Sequence, residues 1–146
     1  MAIYFHNEDV DFKIKESTIL KAWIRNILSN HNFSPGDINI IFTSNDFLLN
    51  LNRKYLNHNY FTDVITFDYE SENKISGDIF VSIDQVRLNA EAYQVGFASE
   101  LHRVIIHGVL HLIGFNDGTD DERAGMRSEE DIALGVLDGL KNGKNL

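Results

Sequence analysis

Two histidines four residues apart inside an apolar run constrain this 146-residue chain more than any other feature. They sit in His107-Gly-Val-Leu-His111-Leu-Ile-Gly114-Phe-Asn-Asp117. Residues four apart on a helix share a face, one above the other by ~6 Å of axial rise, so both imidazoles can meet one ion. Gly114 follows three residues after His111, where a left-handed residue ends a helix and reverses the chain. The returning segment then brings Asn116 or Asp117 toward the rings. Such a histidine pair also occurs as ordinary helix packing. The glycine and the acid at these offsets favour a metal site.

The spacing is that of the long zincin pattern H-E-x-x-H-x-x-G-x-x-H, with two substitutions. Gly108 stands in place of the Glu, and Asp117 in place of the third His. Two imidazoles and a carboxylate are an accepted zinc set that leaves a fourth position for water or substrate. His107, His111 and Asp117 are therefore the expected metal ligands, Asp117 being preferred to Asn116 for its charge and its offset. Zn2+ is the expected ion, one per chain, with nickel or manganese also compatible with these donors. In the peptidases the Glu is the general base, and Gly108 has no side chain to replace it. A small peptidase is accordingly the weakest reading. The sequence keeps a metal cradle whose bound water would act without that base.

With 43% hydrophobic and 24% charged residues, the 146-residue chain fits one domain spanning 1–146 with a buried core. It has no run of 18 apolar residues to span a membrane, and its first residues lack the layout of a signal peptide. The absence of cysteine excludes disulfides and thiolate metal sites. A cytoplasmic location is expected. A net charge of −9 disfavours indiscriminate binding to phosphate, so any RNA must meet a local basic surface.

Hydrophobic periodicity places the elements. Weak alternation at Ile3, Phe5, Val10, Phe12 and Ile14 predicts an edge strand. Helical spacing of Ile19, Leu20, Trp23, Ile24, Ile27 and Leu28 predicts a core helix from about Ser17. Pro35 marks a turn over Ser34 to Asp37. Strands follow at Asp37 to Thr43, Val64 to Tyr69 and Asp78 to Ile83, the last two joined by a polar loop, SENKIS. Ser44 caps a helix with Phe47, Leu48, Leu51 and Tyr55 inward. Asp84 caps another with Val86, Ala90 and Tyr93 inward. Ser99 caps the metal helix, which packs through Leu101, Val104, Ile105 and Leu112. An acidic helix from about Asp120 to Leu140 offers Met126, Ile132 and Leu137. Strands and helices mix without regular alternation, so the expected class is α+β: a mixed sheet of about four strands covered by helices, with a zincin-like metal helix, in preference to three layers.

The stretch from His107 to Asp117 resembles the motif of the YbeY family, bacterial endoribonucleases and rRNA maturation factors. Leu51-Asn52-x-x-Tyr55 leading into Thr62-Asp63-Val64-Ile65-Thr66-Phe67 resembles that family's LNxxYRxxDxPTDVLSF block. Gly77-Asp78-Ile79-Phe80-Val81-Ser82 resembles its GDIxIS strand. Glu100-Leu101, Met126 and Glu130 also fall where the family has them, and the likeness covers roughly residues 37 to 131. Four positions depart from it. Asp117 replaces the usual third His, Asn116 the usual Asp, and Phe61 the Pro. Leu56 stands where the family has an Arg thought to serve RNA binding or catalysis, and Arg53, Lys54 and His58 lie close enough in sequence to replace its charge.

The resemblance implies a metal-dependent endoribonuclease acting on structured RNA, in particular the 3′ end of small-subunit (16S) rRNA precursor, with the ribosome or small subunit as partner. Neither DNA nor a membrane is an expected partner. His107, His111 and Asp117 would then be catalytic through the water on their ion. Thr62 and Thr66 are candidates to line the substrate cleft, with Asp63 as a helper base or, equally, a turn cap. Glu100 reads as a capping or helix-dipole residue. The alternative is an RNA-binding ribosome-assembly factor with weak or no catalysis and a structural metal, a fourth ligand coming from Asp120 or Asp121. The loss of Arg at position 56 favours that alternative.

Overall fold

The computed structural model describes residues 2–69 and 74–143. Part of the loop SENKIS and the last three residues lie outside these. The elements run β1 (Ile3–Asn7), α1 (Ser17–Asn30), β2 (Ser34–Thr43), α2 (Asn45–Leu56), β3 (Val64–Asp68), β4 (Lys74–Ser82), α3 (Ile83–Tyr93), α4 (Phe97–Leu112) and α5 (Asp120–Lys141). Among the described residues the strands form one mixed sheet of order β1-β2-β4-β3. β1 and β4 both run parallel to β2, and β3 runs antiparallel to β4.

Side chains alternate between the two faces of a strand. The ladder therefore gathers Ile3, Ile38, Ile40, Phe42, Ile79 and Val81 on one face, all buried. The apolar sides of α1 and α4 close over that face with α3 beside α4, and α5 packs across α1 and α4. Trp23 is fully buried, and its Nε1 donates to the Ala133 carbonyl at 2.8 Å, tying α1 to α5 without leaving the indole N–H unpaired. α2 lies on the opposite face. There Phe47 stacks on Phe80 and the Tyr55 ring meets the edge of Phe67.

The expected class and strand number hold, and several local expectations do not. The Ser34–Asp37 segment is no turn: β2 already pairs at Ser34 and Pro35, and its register shifts before Ile38. The alternating start of the chain is strand only to Asn7, although it does form an edge. Ser44 caps α2 as expected. Ser82, not Asp84, caps α3, because β4 runs straight into the helix; Asp84 Oδ2 instead accepts from the Asn45 N–H at 2.9 Å. α4 begins at Phe97, ahead of Ser99, with Gly96 as a cap that makes no side-chain bond. Tyr55, Tyr93 and Ile132 are exposed. The two tyrosines fall in the last turns of their helices, and Ile132 lies off the Met126–Ala133–Leu137 stripe that faces the core.

His102, on the core side of α4, is 6% exposed, and its ring packs edge-on against Trp23. Burial, with the Lys141 ammonium adding to it, holds its pKa down to about 4. The folded chain therefore binds fewer protons here than the unfolded chain, whose His titrates near 6.5. This contribution to stability is complete above about pH 6.5 and is lost as the pH falls through that value toward 4, by about 3 kcal/mol in all. Urea unfolding at pH 7 and pH 5 should show a marked loss for the wild type. A His102→Gln chain should show a smaller one. Equal losses would exclude this account.

Candidate metal centre

α4 carries both histidines, and its backbone presses close to the sheet at Gly108. A Cβ there would lie 2.6 Å from Ile79 Cγ2 and 3.4 Å from Thr66 and Val64 methyls. The residue that reads as a missing base is thus also a point of helix–sheet contact. The helix ends as expected. Gly114 has φ 105°, its N–H donates to the His111 carbonyl, and the Phe115 N–H reaches back to the Leu110 carbonyl at 3.1 Å. This is a Schellman turn. It sends the chain back so that Asp117 meets the imidazoles, while Asn116 is exposed.

His107 Nε2 and His111 Nε2 are 3.0 Å apart, and Asp117 Oδ2 is 3.3 Å from each. A tetrahedral ion with bonds of ~2.0–2.1 Å spaces its ligand atoms by about 3.3 Å. The three atoms therefore fit one such ion, and these residues form the group among the described residues that could hold a metal.

The orientation of His107 is set from α5. Its Nδ1 lies 2.6 Å from Glu130 Oε2, and Glu130 is 4% exposed. An imidazole N–H donating there leaves Nε2 with its lone pair toward the other two ligands. Arg103 holds the carboxylate in turn, with Nη1 at 2.9 Å from Glu130 Oε1 and Nη2 at 2.7 Å from Asp131 Oδ1. Burial opposes charge on both members of the His107–Glu130 pair. Their mutual hydrogen bond and the opposite charges around each group together outweigh it, so the imidazole pKa is raised and the carboxyl pKa lowered. Sequence reasoning marks Glu130 only as a position shared with the family and assigns it no role, since an acid 23 residues from His107 carries no spacing signal. Glu130→Gln should weaken zinc binding by roughly 10–100-fold, the usual effect of losing an outer partner of a ligating His. Competition titration against a chromophoric chelator measures it, and wild-type affinity in the variant would refute the coupling.

Two cavities of about 310 Å3 each flank the triad, and both include Asp63, His107 and Asp117 in their walls. The one toward α2 is also lined by Leu56, His58, Thr62 and Thr66. Beside the three expected ligands it therefore brings together four of the sequence candidates, His58, Thr62, Asp63 and Thr66. Arg53 and Lys54 line neither cavity. Arg53 Nε donates to Asn59 Oδ1 at 2.5 Å, and the Lys54 ammonium lies over the Tyr55 ring. Asn52, which sequence reasoning left without a role, is buried and shapes this wall. Its Nδ2 donates to the Tyr60 carbonyl and its own carbonyl accepts from the His58 N–H, fixing the loop that carries both rings. Asp63 Oδ2 accepts from Asn89 Nδ2 at 3.0 Å, and burial pushes the Asp63 pKa up against the pull of His107. Glu100 does not cap α4. It is 5% exposed in the other cavity's wall, and burial together with the charge of Asp63 raises its pKa.

The profile of the Endoribonuclease YbeY family matches residues 3–138 of this chain. The chain belongs to the YbeY family. A protein named Endoribonuclease YbeY from Parabacteroides distasonis is 45% identical over 137 residues, spanning 94% of this chain and 96% of the relative. Another of the same name from Flavobacterium psychrophilum is 46% identical over 136 residues, spanning 93% and 97%. The solution structure of TM1509 from Thermotoga maritima is 26% identical, with a TM-score of 0.67, and the match covers 98% of this chain and 93% of that one. Membership of the YbeY family supports a hydrolase that acts on RNA. Among the described residues, no helix is long and apolar enough to cross a membrane.

Proposed function

We propose that this YbeY-family chain is a zinc-dependent endoribonuclease that matures the 3′ end of small-subunit rRNA while docked on the ribosomal particle in the cytoplasm. The observation that carries the reading is the set of three ligand atoms 3.0–3.3 Å apart, standing between two cavities rather than sealed in the core. A zinc ion held by His107, His111 and Asp117 supplies a Lewis acid and brings the pKa of water toward neutrality. The protein's own groups do the rest. Glu130 and Arg103 hold His107 in one tautomer and one orientation. Asp63, in the wall shared by both cavities and with its proton affinity raised by burial, is the group that accepts a proton from the attacking water. Thr62 and Thr66 line the side where ribose hydroxyls are received, beside the stacked His58 and Tyr60 rings. The acidic net charge restricts the chain to RNA presented to it at this cleft.

A closed, structural metal needs a fourth protein ligand. Asp120 is turned to solvent and pairs with Arg123, and Asp121 is exposed. This favours the open site. The test is incubation of zinc-loaded protein with a 3′-extended small-subunit rRNA precursor, free and within particles, beside His111→Ala prepared identically. Cleavage by the wild type only, faster on particles, is the expected result. Equal traces from both proteins would transfer the role to a non-catalytic assembly factor.

A further inference from the structure

The two cavities beside the triad differ in charge. Among the described residues the α2 side has no Arg or Lys in its lining, whereas the α5 side is lined by Arg103, Arg123 and Arg127. We propose that the α5 side is a phosphate subsite, in which Arg123 and Arg127 hold the RNA backbone against the metal-ligating triad. The proposal rests on the ribonuclease reading above and names cations that the sequence motifs left unassigned.

Arg103 is committed to Glu130 and Asp131. Arg123 and Arg127 are four apart on α5 and so share a face, about one turn apart. Their row is anchored to the triad at both ends. Arg123 Nη1 donates to the Asp117 carbonyl at 3.4 Å, and Glu130, one turn beyond Arg127, grips His107. A phosphodiester held between the two guanidiniums thus lies beside one ligand's backbone and another ligand's carboxylate partner.

Both side chains are open to a ligand, 57% and 60% exposed. Their present ion pairs are weak competitors. Asp120, the partner of Arg123, is 96% exposed, and solvent screens such a pair. Arg127 reaches Glu130 Oε1 only at 3.9 Å, and that carboxylate already receives Arg103 and His107. The planar guanidinium fork matches phosphate oxygens in a way an ammonium does not. The same wall carries Asp63, Glu100, Asp117 and Glu130, so the two exposed guanidiniums are the cations through which a chain of net charge −9 meets a phosphate here. They also supply cation to the cleft from the side opposite Leu56.

The test uses full-length protein and a fluorescein-labelled RNA hairpin with a single-stranded 3′ tail. Binding is followed by anisotropy across a potassium chloride series in EDTA, and cleavage in zinc. An Arg123→Ala/Arg127→Ala double variant is compared with Lys21→Ala/Arg25→Ala, which removes the same charge from α1 and lines neither cavity. Zinc content and melting temperature establish that each variant is folded. Each phosphate contact contributes about 0.7–0.9 to the slope of log K against log salt. The α5 variant should lose roughly 1.5 from that slope, and its KM should rise at least tenfold, while the α1 variant follows the wild type. Cleavage by the wild type with an unchanged slope and KM in the α5 variant overturns the subsite alone. Equal losses in both variants also overturn it, because they report net charge and not position. A wild type that neither binds nor cleaves this RNA overturns the ribonuclease reading and the subsite with it. Tight binding of an acidic peptide that spares RNA would assign the row to a protein partner instead.

Discussion

A His111→Ala chain is expected to retain far less than one equivalent of zinc after dialysis and to lose RNA cleavage with it. The imidazole provides one corner of a triangle with sides of 3.0–3.3 Å, and the two remaining donors cannot hold a tetrahedral ion in place against solvent. Loss of an outer partner already costs roughly 10–100-fold in affinity, and loss of a direct ligand costs more. The fold should survive, because His111 is part-exposed at the end of α4 and belongs to no core cluster. Metal analysis beside a thermal melt separates the two effects. A variant that keeps full zinc would displace His111 from the ligand set. Asp117→Ala should behave in the same way, and a tightly held ion in that variant would point to Asn116 instead.

Restoring the peptidase pattern by Gly108→Glu should not create a peptidase; it should destabilise the fold. The first side-chain atom would already stand 2.6 Å from Ile79 Cγ2, against a residue that is fully buried. Overpacking of this kind costs about 1–3 kcal/mol. A carboxylate carried into the same apolar contact adds several more unless it is protonated or paired. The sum approaches the whole stability of a typical domain, 5–15 kcal/mol. Gly108→Ala is the graded version. It gains up to about 1 kcal/mol of helix propensity and still has to displace the Ile79 methyl, so its melting temperature should fall by several degrees. A Gly108→Glu chain that melted like the wild type would show that α4 can lift off the sheet.

The same glycine illustrates what the sequence could and could not reveal. Its position in the motif was legible, and its lack of a base followed at once. Its packing role was not, because which face of a helix meets a sheet depends on strands far away in the chain. The convergence of His107, His111 and Asp117 was legible for the opposite reason: they lie within one helix end and the turn at Gly114, so local geometry governs their approach. Glu130 and Arg127 reach the same cavity wall from another helix, and no spacing rule links them to His107; Arg103, one turn before His107, shares its face, but its grip on Glu130 is a contact between helices that spacing does not show. Arg53 and Lys54 are attractive because they neighbour position 56, yet neither lines a cavity, the one bonding Asn59 and the other lying over the Tyr55 ring. Periodicity reads Tyr55 and Tyr93 as inward and Ile132 as available for packing, and all three are exposed. Helix periodicity gives a stripe but not where the partner surface ends.

Asp117 stands between two stops. Upstream, the Schellman turn closes α4. Downstream, Thr119 and Glu122 bond each other's backbone N–H groups at the start of α5. A tether of so few residues, pinned at both ends, has little room to wander. The third donor waits where it will be used, and the ion need do no folding in order to bind. Metal capture would then be docking into a finished socket, its rate set by diffusion and the shedding of hydration water, and an ion would come and go without the chain giving up its shape.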